Sequence, residues 1–144
     1  MTIEERRAWI MGLVTVAAYT WYVIAVLGRA GDSGSALADV SYQATLLWTI
    51  IGAIVTSIIA HIAVSILFHR GEEKPDERDR DIYRFGEYIG QWLVLAGATA
   101  ALGLAMLEVR HFWIANVIYL AFVLGAVLSS ALKIFAYRRG LPRW

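Results

Sequence analysis

The stretch Ala44–Phe68, ATLLWTIIGAIVTSIIAHIAVSILF, decides the fold. It is 25 residues long, lacks Asp, Glu, Lys and Arg, and has His61 as its only ionisable side chain. A helix of about 20 residues, rising about 1.5 Å each, crosses a hydrocarbon core of roughly 30 Å. Three more charge-free runs accompany it: Trp9–Leu27 with 19 residues, Tyr88–Leu107 with 20 and Phe112–Leu132 with 21. Hydrocarbon offers no partner to bare backbone groups, so each run must be helical or belong to a closed barrel. None alternates in polarity as barrel strands do. None repeats a polar face every three to four residues as a soluble bundle would. The expected fold is all-α: an integral membrane four-helix bundle, a single four-span domain over residues 1–144 with spans at about 9–27, 44–68, 86–107 and 112–137.

Composition agrees, with 59% hydrophobic and 17% charged residues, against about 25% charged in soluble domains. The chain has no cysteine, which excludes disulfides, thiol catalysis and cysteine-ligated metals.

Charge distribution sets the expected orientation. Of the 13 Lys and Arg, all but Arg29 and Arg110 lie before span one, between spans two and three, or at the C-terminal end. Basic connections are retained in the cytoplasm, so the expectation is N-in/C-in with two antiparallel helix hairpins in a plasma (inner) membrane. The first run exceeds a signal-peptide core and follows Glu4 and Glu5, so it is read as a retained span. Trp9, Tyr88, Trp92 and Tyr137 fall near the inner interface and Tyr22, Tyr42, Trp48 and Trp113 near the outer one. All are read as headgroup-level anchors. In the outer connections, Asp39 or Ser41 is expected to cap span two, and Glu108 and Asn116 to be local partners.

The middle connection, EEKPDERDRDIYRFGEYIGQW from Glu72, is the unusual one. Pro75 suits a first helical turn and the acids after it complement the helix dipole, so a helix is expected to run unbroken from about Asp76 into the membrane. Glu77–Arg80 and Asp81–Arg84 are i,i+3 pairs and Asp76–Arg80 an i,i+4 pair, each worth a few tenths of a kcal/mol. A solvated, ion-paired helix start is the plain reading; the sharper one is an interaction motif of Asp76, Glu77, Arg78, Asp79, Arg80 and Asp81. Hard cations need clustered oxygens, but the interleaved arginines cancel much of that field, so no metal site is expected. Asp76-Glu77-Arg78, followed by Ile82 and directly by a membrane helix, resembles the juxtamembrane Asp-Glu-Arg motif of small four-helix prokaryotic membrane proteins classed as domains of unknown function. The resemblance covers the middle connection, the start of span three and the overall layout. It implies a multi-pass plasma-membrane protein and no particular activity.

Ionisable groups inside spans are costly and tend to be functional. His61 belongs to the small-residue series Ala53, Ser57, His61, Ser65, expected to face spans three or four. The series Ala121, Gly125, Ser129, Lys133 on span four has the same character. On span three Glu87 and Gln91 sit beside Gly86 and Gly90, spaced GxxxG. The expected cluster is therefore His61, Glu87, Gln91 and Lys133, with Ser65 and Ser129 nearby. It reads as a hydrogen-bond network fixing helix register, or as a proton- or ion-handling site, since a histidine beside a carboxylate titrates near neutrality. The three histidines do not pair at equal depth for haem, and phosphate-loop, zinc-protease, nucleophile-elbow and nucleic-acid signatures are absent. The expectation is a non-enzymatic membrane or interaction protein acting through its charged loop. Its partners are the lipid bilayer, another copy of itself, or a cytoplasmic or membrane protein, without nucleic acid, cofactor or metal. The alternative is a small homo-oligomeric channel or transporter with its polar cluster around His61.

Overall fold

The computed structural model describes residues 3–68 and 77–140. Four helices fill them: α1 (Ile3–Ser33), α2 (Gln43–Phe68), α3 (Glu77–Met106) and α4 (His111–Arg139), with one 3₁₀ turn at Leu37–Asp39. No strand occurs among the described residues. Each helix is long and apolar enough to cross a membrane, the most apolar 18-residue windows having mean hydropathies of 1.6 to 2.4. This is the all-α architecture of a multi-pass membrane protein.

Local chemistry explains where the helices begin and end. Glu4 and Glu5 occupy the first turn of α1, where carboxylates meet the positive end of the helix dipole. α2 opens after Tyr42, whose carbonyl accepts the Leu46 N–H at 2.8 Å. Of the expected caps, Asp39 is instead ion-paired with Arg110, while the Ser41 backbone carbonyl accepts from Arg29 at 3.0 Å. Arg29 also donates to the Thr45 hydroxyl. Arg110 thereby joins the α3–α4 connection to the one before α2, and Arg29 joins the end of α1 to the start of α2, through charge-assisted bonds.

α3 carries Glu77 and Asp79 in its first turn and runs unbroken through residues 79–86. Pro75 and Asp76 lie outside the described residues. The short connection from α3 to α4 turns at Glu108, a non-glycine residue at φ 54°, where the Val109 N–H reaches back to the Leu104 carbonyl at 3.0 Å. α4 stops at Gly140, whose φ of 88° suits a residue without Cβ.

Close packing joins α3 to α4, α4 to α1, and α1 to α2. α1 and α4 are thus the inner pair, with α2 and α3 on their flanks. The tightest interface is α3 on α4. A Cβ on Gly90 would lie 2.7 Å from the Gly125 carbonyl oxygen, and one on Gly97 would collide with the Ala121 Cβ. Glycines here let backbone meet backbone, as membrane helices do when side chains gain nothing by leaving lipid. The outward faces are apolar; on α2, Ile51, Ile54, Ile58, Ile62 and Ile66 are all exposed.

The core lies toward the end of the bundle that holds the α3–α4 connection. Tyr22, Val26, Tyr42, Phe112, Tyr119 and Val123 cluster there. The Tyr22 and Tyr119 rings meet edge-on at 5.2 Å and Tyr42 meets Phe112 at 5.1 Å. Tyr22, 1% exposed, donates its hydroxyl to Asn116 Oδ1 at 2.9 Å. Tyr22 and Tyr42 are therefore interhelical core residues and not membrane anchors. A tyrosine can be buried once its polar tip has an acceptor, and Asn116 supplies it. Asn116 in turn donates to the Phe112 carbonyl at 2.8 Å, so its partners are these and not Glu108. Trp48, Trp92, Trp113 and Tyr88 remain exposed.

Candidate functional site

At the opposite end of the bundle, a cavity of about 700 Å³ opens between the four helices. Arg7 and Met11 come from α1, His61 from α2, Glu87 and Gln91 from α3, and Lys133 from α4. It exists because α2 and α3, the flanking helices, do not pack closely on one another. The apolar part of its wall is supplied by residues such as Val94 and Phe122.

Glu87 is the hub. It receives Lys133 Nζ at 2.6 Å and Ser129 Oγ at 3.0 Å, both on Oε1. Lys133 also lies 4.0 Å from the centroid of the Tyr83 ring, a cation–π contact that adds to its fixation. The lysine side chain is 13% exposed and the glutamate 53%, so the cation is inserted between helices while the carboxylate faces the open cavity. The local geometry follows from the glycines: a Cβ on Gly86 would lie 2.7 Å from Lys133 Cγ, so the lysine stem occupies the space that glycine leaves.

A second polar group faces it from α1. Arg7 Nη1 donates to Glu4 at 2.7 Å, and Nη2 to Ser65 Oγ on α2 at 2.8 Å. Away from the cavity, Arg138 Nε donates to the buried Glu5 at 3.3 Å, tying α4 to α1.

Of the six residues expected to converge, Glu87, Ser129 and Lys133 are in direct contact, and Gln91 and His61 line the same cavity. Two placements differ from expectation. The stripe containing His61 and Ser65 turns toward α1, because α2 packs on α1. His61 accordingly finds neither Glu87 nor Gln91: its Nε2 is buried without a hydrogen-bond partner, as is Arg7 Nε. Arg7 is the cavity residue that sequence reasoning missed. Its charge was counted only as a topology signal, and the available clue was its position within helical reach of Glu4.

In the middle connection, Asp76 lies outside the described residues. Glu77, Arg78, Arg80 and Asp81 are exposed on the first turns of α3, with Asp79 half-buried. Asp79 accepts a hydrogen bond from Tyr137 of α4. Asp81 and Arg84 form no ion pair among the described residues, in keeping with the small return on fixing two exposed long side chains. No group of three or more His, Cys, Asp or Glu suited to a metal occurs among the described residues.

No protein-family model, no curated protein and no solved structure matches this chain. The site must therefore be read from its own geometry.

Proposed function

We propose that this chain is a non-enzymatic plasma-membrane protein, with both termini cytoplasmic and its helices in two antiparallel hairpins, that handles ions or protons at the cavity around Glu87, Lys133 and His61. The observation that carries this reading is the cavity itself. Ionisable groups within membrane-spanning helices are expensive and tend to mark ion or proton pathways. Here an ion pair, an arginine and an unpartnered imidazole nitrogen surround one space between the helices. At the other end the Tyr19, Tyr22 and Tyr119 rings fill the bundle. Four helices of this length enclose little volume, so a complete pathway would be built by a homo-oligomer or by a change of packing.

Purified protein in liposomes carrying an internal pH-sensitive dye tests it. Wild type is expected to dissipate an imposed proton or potassium gradient faster than empty vesicles, and His61→Ala or Glu87→Gln to return the rate to background with the helical content kept. A wild type indistinguishable from empty vesicles would refute it. Orientation is tested separately by reporter fusions after Trp144 and between residues 71 and 74, where a periplasmic signal would refute the N-in/C-in arrangement.

A second reading rests on the exposed charges at the start of α3, Arg78, Arg80, Asp81 and Arg84, which offer a docking surface to a cytoplasmic or membrane partner. Replacing Arg80 and Arg84 by Gln would then abolish a crosslink formed in intact membranes while leaving liposome flux unchanged.

A further inference from the structure

On the face of the α1–α4 pair away from the polar cavity runs a groove of about 620 Å³. Leu13 and Val16 of α1 and Val127, Ala131 and Ile134 of α4 line its apolar length. Trp9, Arg138 and Arg139 stand at one end. We propose that this groove is a specific site for an anionic phospholipid, with one acyl chain lying between the helices and the headgroup phosphate held by Arg138 and Arg139.

Three features favour that occupant. The groove is apolar along its length but cationic at one end only, which is the charge pattern of an anionic amphiphile lying along a helix. Its depth also fits. From Val127 to Arg139 is about 18 Å at helical rise, close to the roughly 15 Å of one leaflet's hydrocarbon. The arginines then reach headgroup level as the chain fills the groove. Finally, both guanidinium groups are preset. Arg138 lies 5.9 Å from the Trp9 ring centroid and Arg139 lies 5.5 Å from that of Phe135. A guanidinium over an aromatic face keeps edge N–H donors for a phosphate. Glu5 takes Arg138 Nε, and no carboxylate pairs with Arg139 among the described residues.

The proposal rests on the membrane reading alone and is independent of any ion flux. The test is lipid retention by the purified protein, read by native mass spectrometry. Phosphatidylglycerol is compared with phosphatidylcholine of the same chains. Wild type is expected to retain phosphatidylglycerol selectively. Arg139→Gln should weaken that retention about fivefold, the equivalent of about 1 kcal/mol for one arginine near an anionic headgroup, without altering retention of phosphatidylcholine. Ala131→Phe, which fills the groove at an exposed position, should reduce both. Arg84→Gln, a charge at the same end but outside the groove, should change neither. Equal retention of the two lipids, or an equal loss in Arg84→Gln, would overturn the proposal. So would a dimer mass that Ala131→Phe removes, since the groove would then hold a second copy. A chain that stays monodisperse without detergent would instead overturn the membrane reading itself.

Discussion

Gly90→Ala adds one methyl group at the closest approach of α3 and α4. The new Cβ would sit 2.7 Å from the Gly125 carbonyl oxygen and 3.0 Å from Ser129 Cβ. An ordinary carbon–oxygen contact is about 3.3 Å or more, so the helices must part by about half an ångström. The nearest obstacle is backbone and cannot rotate away. Overpacking of this kind costs about 1–3 kcal/mol. Gly52→Ala is the matched control: nothing lies within 4 Å of a Cβ there, and the site is mid-helix in α2. Replacing glycine by alanine favours either helix by about 1 kcal/mol, so that gain cancels between the two variants. Unfolding in mixed micelles, followed by circular dichroism, should find Gly90→Ala less stable than Gly52→Ala by about 1–3 kcal/mol. A second consequence is local: separation at Gly90 pulls Ser129 from Glu87, now bonded at 3.0 Å. Equal stability of the two variants would refute the backbone-to-backbone contact at Gly90.

Tyr22→Phe leaves Asn116 Oδ1 without its donor in the core and should cost about 1–3 kcal/mol of stability by thermal melting in detergent; Trp48→Phe, on an exposed face, should melt as wild type. Lys133→Met alone should destabilise by about 1–3 kcal/mol, because it strands a carboxylate that is half-exposed, whereas Lys133→Met with Glu87→Gln should recover much of the loss; additive losses in the cycle would show that the two do not interact. Arg110 beside Asp39 holds that carboxyl below its ordinary value, and Asp39 holds the Arg110 guanidinium above its own. A carboxylate with a lowered folded pKa stabilises above its unfolded value, about 3.9, and loses that contribution as pH falls through the folded one. The melting difference between wild type and Asp39→Asn should therefore be constant above about pH 5 and shrink below about pH 4; a difference growing with acid would reverse the assignment.

What sequence carries about this protein is mostly one-dimensional. Charge-free length marks the helices, and the four-residue spacing of Ala121, Gly125, Ser129 and Lys133 marks the face of α4 that meets the glycines of α3. Spacing says which face is small, and not which neighbour it meets: the stripe containing His61 and Ser65 has the same appearance, yet it turns to α1. The number of helices that touch α2 is a three-dimensional fact with no local signature. Aromatic residues mislead for a related reason. Tyr22 and Trp48 both lie toward the bundle end that holds the α3–α4 connection, and only the presence of Asn116 across the interface makes one a core residue while the other stays on the surface. Arg7 belongs to the same class, because its partner Ser65 is 58 residues away.

The arrangement in which α1 and α4 stand inside, with α2 and α3 on the flanks, has a consequence for how the protein is put together. The three close helix contacts join α1 to α2, α3 to α4, and α1 to α4. None of them depends on continuity between α2 and α3. Each half of the chain therefore holds a complete helix pair, and the halves meet along the α1–α4 seam, where the Ser130 side chain lies opposite Gly12, and at the Tyr42–Phe112 and Asp39–Arg110 contacts beside it. Translation delivers these pairs one after the other, so the first can wait in the bilayer as a finished unit for the second. Two fragments, residues 1–68 and 77–144, made from separate messages would each keep a helix pair and would retain the α1–α4 contact through which the pairs assemble in the membrane without a covalent link.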